Sequence, residues 1–296
     1  MTSRTRTIII ALGVTVGVIA VFFLTVWALM SVLEGSGLPG GQKVAVVEVE
    51  GIILESEALV RELNEHRENP SVRAVVIRVN SPGGVVAPTQ EIYSAIERVR
   101  KSGKPVVASL GSVAASGGYY VATAAERIYA SPGTLTGSIG VVMQMANLEG
   151  LLKKVGVDYV VVKSGQYKDI GNFARTMTAE ERRILQALLD DVYEQFVDAV
   201  ARGRKLDRAA VAGFADGRIV SGQQAMQLRM VDALGGLDDA IEDAAKRAGL
   251  PPKPRLILPR RRFSLFDLLR NELGLFRAAP LVPGFPVLKT PLYLME

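Results

Sequence analysis

The sequence predicts an α/β domain with a mainly parallel, helix-covered sheet, preceded by one N-terminal transmembrane helix. Two observations support this prediction. Between residues 43 and 250, short runs rich in β-branched residues alternate with helix-spaced segments, which is typical of a parallel sheet packed between helices. A stretch of 26 residues without a charge precedes them, from Ile8 to Leu33. The 296 residues are enough for one or two domains with a sizeable core.

The stretch from Ile8 to Leu33 has the length and composition of a membrane anchor. A helix of this length extends roughly 39 Å, which exceeds the ~30 Å hydrocarbon core of a bilayer. A removable signal peptide is the alternative, but its apolar region is about 7–15 residues long and ends at a small-residue cleavage site, which Ala28-Leu29-Met30 does not resemble. Arg4 and Arg6 precede the stretch, so we expect a cytoplasmic N-terminus and an extracytoplasmic domain in the cell membrane.

Composition divides the chain into five predicted segments. They are a cytoplasmic N-terminus at 1–7, the anchor at 8–33, a glycine-rich flexible linker at 34–42, the α/β domain at 43–250 and a C-terminal extension at 251–296. The extension holds eight Lys and Arg against three Asp and Glu, which accounts for the net charge of +5. The α/β domain is therefore close to neutral and offers no basic surface for a nucleic acid.

The C-terminal extension leaves several interpretations open. The spacing of apolar residues from Phe263 to Phe276 predicts an amphipathic helix. This helix would lie on a membrane surface, dock on a partner or pack on its own oligomer. The final apolar stretch to Glu296 would either lie in a groove as a reaction product does, or be disordered.

Local patterns predict each element of the α/β domain. Runs of β-branched residues predict strands at Lys43–Glu50, Arg73–Val79, Pro105–Leu110, Ile139–Met143 and Tyr159–Lys163. Helical spacing of apolar residues predicts helices at Glu55–Glu68, Thr89–Arg100, from about Ser116 onwards, and Thr178–Gly203. Thr178 and Glu181 have the spacing of a capping box at the start of the long helix. Two or three shorter helices complete the domain.

Residue counts exclude several kinds of active site. The chain has no cysteine, so thiolate nucleophiles, disulfides and cysteine-ligated metals are excluded. Its one histidine, His66, excludes a multi-histidine metal site, and we expect neither a metal nor another cofactor. His66 belongs to the polar stretch Glu62–Asn69, which predicts an exposed surface residue and argues against a Ser-His-Asp triad. A serine nucleophile would then need a lysine with a lowered pKa as its base.

Three loops carry candidate chemistry. Asn80–Gly84 is a Pro-Gly-Gly turn after the second strand, where backbone N–H groups can face a ligand. Gly111–Tyr120 presents Ser116 where a strand turns into a helix, near the positive end of the helix dipole. Lys163–Gly171 contains Lys168. Each has an ordinary structural interpretation when taken alone: a tight turn, a helix N-cap serine and a solvated surface lysine.

Taken together, the segments RVNSPGG, LGSVAASGGYYVA, LTGSIGV and SGQYKDIG closely resemble the bacterial signal peptide peptidase A family. These membrane-anchored Ser–Lys proteases have a Clp protease/crotonase-like fold, and the resemblance covers about Lys43–Gly249. It implies that Ser116 is the nucleophile, that Lys168 is the general base and that Ser138 orients the lysine amine. It also implies that the backbone N–H groups of Gly83 and Ser116 form the oxyanion hole.

The resemblance further implies an assembly and a substrate. The single-copy length matches the short form of the family, whose members form rings in which serine and lysine come from neighbouring protomers. We therefore expect a homo-oligomer, with eight protomers as the favoured ring, that degrades remnant signal peptides and similar apolar peptides. Val85 departs from the pattern, since many relatives carry glycine or serine there, and it would alter the adjacent pocket. Two alternatives stay open: a related Ser–Lys protease acting on stomatin-like or other membrane proteins, and a non-catalytic crotonase-like scaffold.

Overall fold

The computed structural model describes residues 15–26 and 42–259, together with the backbone of 292–294. The chain divides into two compact units, Met1–Gln42 and Lys43–Glu296, which are described separately.

In the first unit, residues 15–26 form helix α1, whose side chains are exposed. None of the helices in the described ranges has the length and apolar character needed to cross a membrane. The rest of the predicted anchor, at 8–14 and 27–33, lies outside the described residues, and so does the predicted helix Phe263–Phe276. The anchor and the C-terminal helix therefore stay predictions.

In the second unit, the strands form a single, mostly parallel sheet. Nine strands occur in the described part of the chain: β1 Lys43–Ile53, β2 Val72–Val85, β3 Val106–Ala115, β4 Arg127–Ala130, β5 Leu135–Gly137, β6 Ile219–Ser221, β7 Ala233–Leu234, β8 Arg255–Ile257 and β9 Leu292–Leu294. The main order is β6-β5-β3-β2-β1-β8, with β4 and β7 branching from β3 and with β9 beside β2. Only the β5–β6 and β2–β9 pairs among these are antiparallel.

The helices cover the sheet on both faces, as the predicted fold class requires. After α1 the described residues form α2 Glu57–Glu68, α3 Val86–Lys101, α4 Gly117–Ala122, α5 Glu149–Lys154, α6 Ala179–Arg204, α7 Arg208–Ala212, α8 Gly222–Gln227 and α9 Leu237–Arg247. Alternate residues of β1 point to opposite faces: Val47 joins the core formed with α3, α4 and α6, whereas Val46 packs in the smaller core against α9. The capping box predicted at Thr178 and Glu181 is present at the start of α6.

Two of the predicted strands are wrong. Neither Ile139–Met143 nor Tyr159–Lys163 forms a strand, and the strand in this region is β5, at Leu135–Gly137. β-Branched composition favours a half-buried, pleated position, but it does not tell whether a neighbouring strand edge is there to pair with. Residues 157–163 lie on the surface without regular secondary structure.

The prediction that His66 is exposed is also wrong. Its exposed fraction is 9%. The Nζ of Lys104 donates hydrogen bonds of 2.7 Å to the carbonyls of His66 and Asn69, and Glu62 lies 3.7 Å from the His66 Nε2. Lys104 thus ties down the backbone at the end of α2, and Glu62 lies beside the imidazole.

Candidate active site

The carboxyl ends of three neighbouring strands bring the predicted site segments together. β2 and β3 run parallel with Ser81 opposite Ala114, and β3 and β5 run parallel with Ala115 opposite Gly137. Ser116 and Ser138 each follow directly after one member of the second pair. Because parallel strands end at the same edge of a sheet, the structure brings these two predicted serines together beside the Pro-Gly-Gly turn. Asn80–Gly84 was predicted to follow the second strand, but these residues form the irregular last part of β2 itself, after a shift in its register.

Ser116 occupies a sharp turn between β3 and α4. Its φ of 52° and ψ of −118° lie in a region that residues with a side chain rarely adopt, and such a conformation costs roughly 1–3 kcal/mol. Strained strand-to-helix turns of this kind present the nucleophilic serines of α/β-hydrolases. The local backbone therefore has the geometry that a nucleophile needs.

The Ser116 hydroxyl is buried and makes no hydrogen bond within residues 42–259. A buried polar group without a partner costs about 1–3 kcal/mol, and such groups are rare enough in folded proteins that each one asks for an explanation. One explanation is that the Ser116 hydroxyl gains its hydrogen-bond partner only when a substrate or another subunit binds.

Close backbone approach explains the glycines that follow Ser116. A Cβ on Gly117 would lie 3.1 Å from the Gly83 Cα, and a Cβ on Gly118 would lie 2.6 Å from the Ser81 carbonyl oxygen. The start of α4 can therefore contact the Pro-Gly-Gly turn only because both positions lack a side chain.

Both backbone N–H groups predicted for the oxyanion hole have partners inside the chain. The Ser116 N–H donates to the Gly137 carbonyl at 2.8 Å, so this group is engaged in the β3–β5 contact. The Gly83 N–H donates to the Ser81 hydroxyl at 3.1 Å. Gly117 is the first residue of α4, a position whose N–H has no acceptor within its own helix, and it lies directly against Gly83.

Ser138 lies at the edge of a cleft next to the site. Its φ is 50°, its side chain is almost buried, and its N–H donates to the Arg218 carbonyl at 2.8 Å. The cleft has a volume of about 640 Å³ and is bounded by helix α6 and by the 215–219 loop. Ser138 thus lies between the buried Ser116 and an open cleft with polar and apolar walls.

Lys168 lies apart from these serines, in the loop between α5 and α6. Its side chain is exposed, and its backbone N–H closes a turn with the Gly165 carbonyl at 3.1 Å. Within the described chain the Ser116 hydroxyl has no hydrogen bond to it or to any other group. The structure therefore brings Gly83, Ser116 and Ser138 together and does not pair Lys168 with Ser116 in one chain.

An ion-pair network beside Lys168 was not predicted. Arg175 contacts both Asp169 and Glu181, and Lys163 contacts Asp169. The guanidinium of Arg175, and then Lys163, hold the pKa of Asp169 well below its usual range, and Arg175 lowers the pKa of Glu181 to about 2. The only sequence signal for this network is the alternation of charges along residues 163–181.

Comparisons with known proteins agree with this geometry. Residues 98–251 match the model for peptidase family S49. A putative protease of Synechocystis sp. is 48% identical over 215 residues, which are 71% of this chain and 76% of that protein. A putative signal peptide peptidase of Enterococcus faecium is 35% identical over 222 residues and 64% of its length. Protease 4 of Salmonella typhi is 35% identical over 219 residues, but the match covers only 35% of that longer protein.

Proposed function

The chain belongs to peptidase family S49 and is a serine-type protease, and on this premise we propose that it is an endopeptidase with Ser116 as nucleophile and Lys168 as general base. The observation that carries the assignment of Ser116 is its buried, unpartnered hydroxyl on a strained strand-to-helix turn. No histidine competes for the role of base, because the one histidine of the chain is buried at the end of α2.

In the proposed reaction, the neutral amine of Lys168 accepts the proton of the Ser116 hydroxyl while the serine oxygen attacks the scissile carbonyl. The lysine ammonium then protonates the departing amine. In the second half of the reaction Lys168 takes a proton from water as the water oxygen attacks the acyl carbonyl, and it returns that proton to the Ser116 oxygen as the acid product leaves. Ser138 would accept a hydrogen bond from the lysine amine and orient it. A neutral amine is required at the start, so activity should rise with pH through the pKa of the lysine.

We assign the oxyanion hole to the N–H groups of Gly83 and Gly117. The Ser116 N–H is less suited than the resemblance implies, because it is bonded to the Gly137 carbonyl. Gly117 follows the nucleophile and lies against Gly83, and the Ser81 hydroxyl would turn away from the Gly83 N–H when a substrate arrives. One such donor contributes about 10²–10³ to kcat.

The base is proposed to come from a neighbouring copy of the chain. Lys168 is exposed, and the Ser116 hydroxyl has no hydrogen-bond partner among the described residues of one protomer. The preceding segment is also apolar and open, with Val160 81% and Val162 96% exposed, and exposed apolar patches are typical of interfaces. These features support a ring in which each site combines two protomers, and eight protomers is the ring size that the resemblance to short-form relatives favours.

Substrates are proposed to bind as extended strands beside β2. The chain's own residues 292–294 pair antiparallel with Gly83–Val85, so that Leu294 lies opposite Gly83. An extended peptide that replaced this segment would run towards Ser116 and the proposed hole, as in recognition by strand addition. Apolar peptides released into a bilayer, including remnant signal peptides, suit a site tethered by the predicted anchor at the outer face of the cell membrane.

The first experiment measures turnover of an apolar fluorogenic peptide by the purified full chain. S116A and K168A should each abolish turnover, whereas H66A should preserve it in the fraction that folds. Retained activity in S116A or K168A would overturn the mechanism.

Mixing the two inactive variants tests the shared site. In a random ring with head-to-tail interfaces, about one quarter of the sites would combine an intact serine with an intact lysine. Activity should therefore return after subunit exchange, and a mixture that stays inactive would contradict the assignment of the base to a neighbour. Identifying the peptides that S116A traps would show whether the substrates are signal peptides or segments of other membrane proteins.

A further inference from the structure

The loop that carries Lys168 is tied to the start of helix α6 by one arginine. The Arg175 Nε donates to the Asp169 Oδ2 at 3.0 Å, and its two terminal nitrogens donate to the two carboxylate oxygens of Glu181 at 2.8 and 2.5 Å. This paired arrangement uses the planar fork of the guanidinium, which a lysine ammonium cannot reproduce. Arg175 therefore joins the residue next to Lys168 to the first turn of a 26-residue helix.

Glu181 is a rigid anchor for this contact. Its side chain is 4% exposed, and the same carboxylate accepts the Thr178 N–H at 2.9 Å as part of the capping box. A buried carboxylate that is bonded to a helix end and to an arginine has little freedom to move. The position of Arg175 is therefore set by α6.

Asp169 is fully engaged by groups other than its neighbour Lys168. Lys163 donates to its Oδ1 at 2.5 Å while Arg175 donates to its Oδ2 at 3.0 Å, and its side chain is only 11% exposed. An aspartate directly beside a catalytic lysine would otherwise stabilise the lysine ammonium and raise its pKa. The network keeps this carboxylate paired away from Lys168.

Glu149, at the start of α5, is another charged group beside this loop that has partners. It accepts hydrogen bonds from Lys153 and from the N–H and hydroxyl of Thr176. The charged groups of α5, of the loop after it and of the first turns of α6 are Glu149, Lys153, Lys154, Asp158, Lys163, Lys168, Asp169, Arg175, Glu180, Glu181, Arg182 and Arg183.

We infer that Arg175 is a positioning residue for the general base: it holds the Lys168 turn against α6 and keeps the Asp169 carboxylate from pairing with the Lys168 amine. This inference rests on the proposed function, because it needs Lys168 to be the base. It makes two separable claims, one about the order of the loop and one about the protonation of the lysine.

The test compares R175Q with R183Q in the full-length oligomer. Arg183 lies in the first turns of α6 and forms an exposed ion pair with Glu180. R183Q therefore removes one positive charge, as R175Q does, without changing the network. R175Q should speed amide exchange at Ile170 and Asn172, whose N–H groups close turns with the Tyr167 and Asp169 carbonyls, by at least tenfold. R183Q should leave this exchange unchanged.

The kinetic readout is the dependence of kcat on pH. R175Q should lower kcat at least tenfold at neutral pH and shift the rising limb to higher pH, because the freed Asp169 stabilises the ammonium form of Lys168. In the double variant R175Q/D169N the rising limb should return to its wild-type pH, although amide exchange at Ile170 and Asn172 stays fast. R175K should be intermediate in both readouts, and it serves as the test variant if R175Q does not assemble.

Each outcome has a distinct meaning. Unchanged exchange in R175Q, or a pH profile in R175Q that matches R183Q, would overturn the inference. Activity retained in K168A would overturn the proposed function instead, and it would do so whatever the exchange at Ile170 and Asn172.

Discussion

Gly118→Ala offers a direct test of how closely α4 must approach the Pro-Gly-Gly turn. The added Cβ would lie 2.6 Å from the Ser81 carbonyl oxygen, whereas ordinary contacts begin near 3.4 Å. The turn must therefore move away from α4 by about 0.4–0.8 Å, because backbone on both sides leaves no flexible side chain to yield. Helix propensity alone would favour alanine by about 0.5–1 kcal/mol, but overpacking of this kind costs about 1–3 kcal/mol. The net change should be destabilising.

The same displacement should affect catalysis more than stability. Gly83 belongs to the turn that moves, and misplacing a catalytic group by about 1 Å can cost on the order of 10²-fold in rate. For a shift of about half that size we expect kcat for an apolar peptide to fall roughly 10- to 100-fold. The Tm of thermal unfolding should fall by only a few degrees.

The matched control for this prediction is Gly133→Ala. No atom lies within 4 Å of its added Cβ, and its φ is not in the left-handed region, so its kcat should stay within twofold of the wild type. If G118A also keeps its kcat within twofold while remaining folded, the turn does not supply an oxyanion donor and the assignment of Gly83 is refuted.

Three further predictions concern the tail, the interface and the capping carboxylate. Deleting residues 291–296 frees the edge of β2 from its antiparallel partner, so KM for an extended peptide should fall several-fold, and an unchanged KM would mean that peptides bind elsewhere. Replacing Val160 and Val162 together by lysine should dissociate the oligomer, as measured by light scattering, and abolish turnover. L258K changes another exposed apolar residue and should do neither. An intact ring in the double variant would show that the interface lies on another surface. Because the pKa of Glu181 is lowered to about 2 from an ordinary value of 4.5, its stabilising effect is complete above about pH 4.5 and is lost as pH falls towards 2. Thermal unfolding should therefore separate wild type from E181Q at pH 6 and bring the two together near pH 2, and a pH-independent difference would contradict this assignment.

The first three strands could be predicted from sequence because each β-branched run is a local signal. Their ends could not, because β2 and β3 continue six and five residues beyond the predicted ends, to Val85 and Ala115. The small and glycine residues after each run still pair with a neighbouring strand, and the parallel order brings Gly83 and Ser116 to one edge. The capping box at Thr178 and Glu181 was equally local. Features that depend on distant partners were not predictable. Tyr159–Lys163 has strand composition but pairs with no strand among the described residues. The end of α2, where His66 is buried, is bonded by Lys104 from another part of the chain.

The two halves of the proposed dyad differ in how they are held. Ser116 is held by the sheet itself, through strand register and the bond from its N–H to Gly137, so its position follows from topology. Lys168 lies outside the sheet, on a turn whose geometry depends on Arg175 and Glu181. A base on such a turn can approach the serine of another protomer only if the turn keeps its shape while exposed. In this proposal the ion-pair network provides that stiffness, and it links the shared site to Arg175 and Glu181, which follow the Lys168 loop along the chain.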